Sequence, residues 1–168
     1  MNPQRDRGIR AEREACTLLA GLLGLDVKRR ANEGIREDIS DLIGLPDTAI
    51  QVSACQRNDT AIAARARTKV IDCGTQQARL GARHGVTLLR VDGSGSRPAI
   101  WRALLSFEQV DELRRGDVIS TNPRNTIGNV IRTCTGWELA SFKLPGIVCA
   151  PVETWAAQWS LTAGRTAA

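Results

Sequence analysis

The sequence predicts an α/β protein, a mixed central β-sheet flanked by helices, and three observations predict it. Short apolar or β-branched runs at Thr48 to Ala54, Val86 to Asp92 and Ala99 to Leu105 are set off by Gly, Pro and Asp turn chemistry. Between them lie stretches with helical spacing or helix-favouring composition, Arg7 to Leu23 and Ala61 to Ile71. The resulting order of helix, strand, hairpin, helices, hairpin and helix is that of a sheet with helices on its faces.

The chain has 168 residues, enough for one ordinary domain and its core. We expect an α/β domain over 1–116, a small α+β appendage of strands and a helix over 117–160, and a disordered tail over 161–168. The net charge of +5 comes from twenty Arg against three Lys. Arg pairs bidentately with phosphate, so an anionic partner is favoured, nucleic acid first, although GC-rich coding also inflates Arg. Five scattered cysteines form no C-x-x-C pair, which argues for reduced, mostly buried thiols over a zinc knuckle or a disulfide framework. The charged start and the lack of a long apolar run point to a cytoplasmic protein with no membrane role.

In the first helix Cys16, Leu19, Leu22 and Leu23 make the apolar stripe, and Gly24 is placed to end it. Glu12 lies one turn before Cys16, on the rim of the buried face, where a carboxylate needs a cation or a metal. Taken alone, it is equally a surface carboxylate paired with Arg. Val27 to Ala31 contains Lys28, Arg29 and Arg30 and reads as a first strand, followed by an N-E-G turn. Asp41 then opens the run Leu42–Ile43, Gly44 to Asp47 turns, and Thr48 to Ala54 returns with Gln51 and Ser53 inside it. Such a hairpin can converge a carboxylate and a polar oxygen ten residues later on one hard cation. Asp38 is a rival to Asp41 for that position.

Asn58, Asp59 and Thr60 offer caps for the next helix, Gly74 is expected to interrupt it, and Thr75 to start a second segment ending at His84-Gly85. Ser106 and Gln109 form a capping box for a helix closed by Gly116. Beyond it, I-G-N-V-I-R-T-C (127–134) and W-E-L-A-S-F (137–142) suggest short strands, and a Pro-started helix follows Ile147 to Ala150. Trp155 and Trp159 share one face of that helix and are expected to pack the appendage on the body.

Residues of about 7–113 resemble the PD-(D/E)xK nuclease superfamily, and within it the archaeal-type Holliday junction resolvases and their phage relatives. R-G-I-R-A-E-R-E is similar to the G-x-x-x-E-R-E that opens those enzymes, with Glu12 as its first Glu. Asp41, Gly44, Pro46 and Ile50 fall where the phage relatives carry D-I-x-G-x-P and the apolar residue before the Glu. At the Glu-x-Lys triplet this chain has Gln51, Val52 and Ser53: Gln can still offer a carbonyl oxygen, but Ser supplies no cation. The resemblance implies a restriction-endonuclease-like fold and a Mg²⁺-dependent (or Mn²⁺-dependent) homodimeric endonuclease cutting branched or four-way DNA. Glu12, Asp41 and Gln51 would hold the metal. Lys69 is the candidate replacement for the strand lysine, since such lysines are sometimes recruited from a neighbouring helix; on its own it is more readily an exposed helix residue. Arg29, Arg30, Arg10 and Arg57 are the candidate phosphate contacts. The loss of both Glu and Lys also fits a nuclease fold retained only as a DNA-binding or assembly module.

Overall fold

The structure, a computed structural model, describes residues 3–30, 40–55, 58–113, 120–121, 124–143 and 145–162. The chain begins with helix α1 (Pro3–Leu23), ended by Gly24 in the left-handed region at φ 66°. Two short antiparallel strands follow, β1 (Lys28–Arg29) and β2 (Leu42–Ile43). β3 (Thr48–Ala54), helix α2 (Asp59–Leu80) and β4 (His84–Arg90) form a βαβ unit, with β3 and β4 parallel and Gln51 opposite Thr87. β5 (Trp101–Leu105), α3 (Phe107–Leu113), β6 (Ser120–Thr121), α4 (Ile127–Thr133), β7 (Glu138–Ser141), β8 (Ile147–Pro151) and α5 (Val152–Thr162) complete it. The main sheet has the order β3-β4-β5-β8-β7-β6 and is mixed, as the sequence predicts.

Alternation along the strands builds two cores. Ile50, Val52, Val86, Leu88, Ala103 and Val148 face α1 and α5, while Leu89, Leu104 and Cys149 face α2 and α4. The segment expected as an appendage runs through the middle of this sheet, because β8 lies between β5 and β7. Trp155 and Trp159 are buried in the same cluster as Ala11 and Leu18 of α1, with ring centroids 6.4 Å apart. The Trp159 indole N–H donates to Thr48 Oγ1 at 3.0 Å, tying the last helix to the start of β3.

Three local expectations are corrected. Gly74 does not break α2, which runs unbroken to Leu80 and ends at Gly81 with φ 62°. Its bottom face has enough apolar anchors, Ile62, Ala66, Val70 and Cys73, to carry one glycine through. His84 is therefore not a helix terminus but the buried first residue of β4. The run Ile127–Thr133 is helical, although its β-branched residues suggested a strand. Thr126 caps it by accepting from Asn129 N–H at 3.2 Å, and Gly128 seats it against the Asp59 backbone of α2. Gly116, expected to close α3, lies outside the described residues, as do Asp38, Arg57 and residues 163–168.

Candidate metal centre where β2 meets β3

The expected β2–β3 hairpin does not form as a ladder: β2 pairs with β1, β3 pairs with β4, and the chain that joins β2 to β3 is held instead by Ser40. Its buried hydroxyl donates to Leu42 O at 2.8 Å and accepts from Ile50 N–H at 3.0 Å, while Asp41 N–H donates to Ile50 O at 2.9 Å. This clamp turns the Asp41 side chain onto β3. Its Oδ2 accepts from the Val52 N–H and from the Gln51 amide Nε2, each at 2.6 Å. Gln51 is 3% exposed, and its Oε1 is buried with no hydrogen-bond partner among the described residues. A buried carbonyl oxygen in that condition is costly.

On the same face, Thr87 Oγ1 donates to the Lys69 carbonyl at 3.0 Å, seating that turn of α2 beside Gln51. The Lys69 ammonium pairs with Asp72 Oδ2 at 3.0 Å, one turn further along the helix. Ser53 is buried on β3 and carries no charge to the site. Cys73 packs beneath, 3.8 Å from Ala49 O, and burial pushes its thiol up to about 12, with the Asp41 charge adding to the effect.

Glu12 reaches the hairpin from the opposite helix layer. Its Oε2 pairs with Arg29 Nε at 2.8 Å, and both side chains are half-buried. Arg29 is the register partner of Leu42, and Arg30 N–H donates to Asp41 O at 3.0 Å, so Glu12 stands against the strand pair that carries Asp41. It does not point into solvent. Burial, then the Glu12 charge, raises the neighbouring Cys16 thiol, while Arg29 opposes the shift. Thus the structure brings Asp41 and Gln51 into direct contact, holds Glu12 next door on Arg29, and keeps Lys69 on Asp72. Among the described residues no group of three or more His, Cys, Asp or Glu is arranged to hold a metal. The donors in contact, the Asp41 carboxylate and the Gln51 carbonyl, are oxygens of the kind a hard divalent cation takes, while Glu12 lies on the α1 side engaged by Arg29.

Of the arginines expected to meet phosphate, Arg29 and Arg30 flank the hairpin, half-buried. Arg10 is exposed and pairs with Glu14 Oε1 at 3.0 Å. Glu14 is the residue that sequence reasoning missed. Its other oxygen accepts from the buried Arg90 on β4, whose guanidinium lies 6.0 Å from the Trp101 ring centroid. Burial, and then Arg10, lowers the Arg90 pKa. The signal was available, because Glu14 falls on the Ala11–Ala15–Leu18 stripe where a carboxylate demands a partner. Comparison with protein-family models, with curated proteins and with solved structures gives no match.

Proposed function

We propose that this chain is a metal-dependent, structure-selective DNA endonuclease of the Holliday junction resolvase type, acting in the cytoplasm as a homodimer. The observation that carries the reading is the contact between Asp41 and Gln51, with a buried Gln51 oxygen left without a partner beside a carboxylate. A Mg²⁺ or Mn²⁺ ion bound there would supply Lewis acidity toward a phosphodiester and lower the pKa of a bound water. Asp41 and Gln51 would hold it through oxygen, and Glu12 would join them on exchanging Arg29 for the ion. Arg29, released or not, keeps positive charge beside the scissile backbone, and Arg30 and Arg10 extend the phosphate contacts. Two symmetric nicks across a junction call for two such sites, hence two copies.

A second reading is favoured by a specific observation: Glu12 and Lys69 each have an ion-pair partner, Arg29 and Asp72. That is the arrangement expected of a nuclease fold kept for DNA binding or assembly alone. Calorimetric titration with Mg²⁺ and Mn²⁺, together with a nicking assay on four-way junctions and linear duplex, separates the two. The endonuclease reading expects ion binding that Asp41→Asn abolishes and metal-dependent cuts in the junction. Tight junction binding with no cut under either ion overturns it in favour of the binding module.

A further inference from the structure

Helix α2 carries an apolar face that looks away from the sheet. Ile71 stands at its middle, 55% exposed, and Ala64 and Ala78, two turns to either side, are exposed as well. Beside Ile71 a groove of about 670 Å³ opens between α2 and the start of α3, with Gly74, Thr75 and Ala78 on one wall and Ser106, Glu108 and Pro145 on the other. Little on this face requires water. The Thr68 and Thr75 hydroxyls donate to the carbonyls of Ala64 and Ile71, each at 3.2 Å, and a Cβ at Gly74 would meet nothing within 4 Å. An exposed apolar surface rimmed by charge marks a place where another molecule docks.

We propose that a second copy of this chain covers the face, α2 packing antiparallel on α2 about a two-fold axis at Ile71. The inference rests on the homodimer reading above and assigns it a surface. Across such an axis, residues equally far before and after Ile71 come to the same height. The two Ile71 side chains therefore meet at the centre, and Ala64 of each copy meets Ala78 of the other on the face that Ile71 shares. Thr68 of the second copy lies over Thr75, with both hydroxyls already satisfied inside their own helices. The face is thus complementary to itself, small residues at both ends and one large apolar residue at the axis.

Charge selects the same occupant. Arg67 and Glu108 are both exposed, and among the described residues neither is held by an ion pair. In the antiparallel arrangement Arg67 of the second copy falls beside Gly74, on the side of α2 where Gln77 bonds Gln109 of α3, and so enters the groove next to Glu108. Gly74, lacking a side chain, leaves it room. Symmetry makes the contact twice. A parallel pair of α2 helices would instead set Arg67 against Arg67.

The test is sedimentation equilibrium of the full chain, with Mg²⁺ calorimetry on the same samples. The wild type should sediment at twice the 18.2 kDa chain mass. Ile71→Arg, with unchanged circular dichroism and unchanged ion uptake, should raise the dimer dissociation constant by about thirtyfold or more, as a central contact residue does. Arg67→Glu and Glu108→Arg should each weaken the dimer, and the double exchange should restore it. Under mild oxidation Ile71→Cys should link to its own copy beyond the wild-type background, whereas Ala64→Cys, about 21 Å along the axis from its own copy, should not. A wild-type dimer that Ile71→Arg leaves intact, or equal linking at both positions, overturns this surface while the homodimer reading stands. A monomeric wild type overturns both. No ion uptake in a wild type whose dimer Ile71→Arg breaks sinks the metal reading and upholds the surface. Tighter junction binding by Ile71→Arg at unchanged mass would give the face to nucleic acid instead.

Discussion

Asp41 is an acceptor with two donors already on one oxygen, and Gln51 is the residue that decides what else can sit beside it. Replacing the amide by a carboxylate, Gln51→Glu, places two negative charges in contact. Without divalent ions it should destabilise the protein by about 1–3 kcal/mol, and Mg²⁺ should restore the thermal midpoint and more. Equal melting with and without the ion would argue against a metal at this hairpin. Ser40 makes a different kind of contribution, since it satisfies the Ile50 N–H from its own side chain. Ser40→Ala leaves that buried donor bare and should cost about 1–3 kcal/mol in a urea titration, with the slope unchanged. Cys73 adds a pH dependence. Its folded value, about 12, lies above the ordinary 9.0, so the native state keeps a proton that the unfolded chain releases. Stability is then full below pH 9 and falls as pH rises from 9 toward 12, with Cys149 acting in the same direction. Cys73→Ala should flatten that alkaline loss in melts recorded across this range, and an unchanged slope would remove Cys73 as its source.

Two helical glycines separate what local propensity does from what docking does. Gly74 lies inside α2 with open space where a side chain would go, so Gly74→Ala should stabilise by about 0.5–1 kcal/mol. A helix interrupted there would show no gain. Gly128 lies inside α4, but a Cβ would collide with the backbone of Asp59. Gly128→Ala should therefore destabilise by about 1–3 kcal/mol despite better helix propensity, as measured by chemical denaturation. The contrast explains why α4 was legible only in part. Its β-branched residues favour strand, and it is the cap at Thr126 and the close seat on α2 that make it a helix.

In the whole molecule, the position of β8 matters most. It supplies the antiparallel partner of β5 and the strand on which α5 returns its tryptophans to α1. A chain cut after residue 116 would expose the edge of β5 and the apolar face that Trp155 covers. We expect that fragment to lack a cooperative melt by circular dichroism, and a sharp melt would show that residues 1–116 stand alone. If the arginines around the hairpin hold phosphate, DNA affinity should fall steeply with salt, each lost contact reducing the log–log slope by roughly 0.9 on duplex. Arg29→Ala combined with Arg30→Ala should weaken junction and duplex together, since these contacts carry no sequence information.

Much of this architecture can be read from local sequence, because hydrophobic period and turn chemistry act over a few residues. β3 falls on Thr48–Ala54, Gly24 ends α1, and the Ser106–Gln109 box opens α3, with Ser106 N–H donating to Gln109 Oε1 at 3.1 Å. The ten-residue interval from Asp41 to Gln51 likewise anticipates their contact, although β2 pairs with β1 and the two residues are brought together by hydrogen bonds across the turn, not by a ladder. The rest depends on partners distant in the chain. The pairing of Glu14 with Arg90 arises from how helices are laid across a sheet. So does the insertion of β8 between β5 and β7. These are long-range choices made by burial of two apolar faces at once, and no local pattern encodes which of several neighbours a buried charge or thiol will meet.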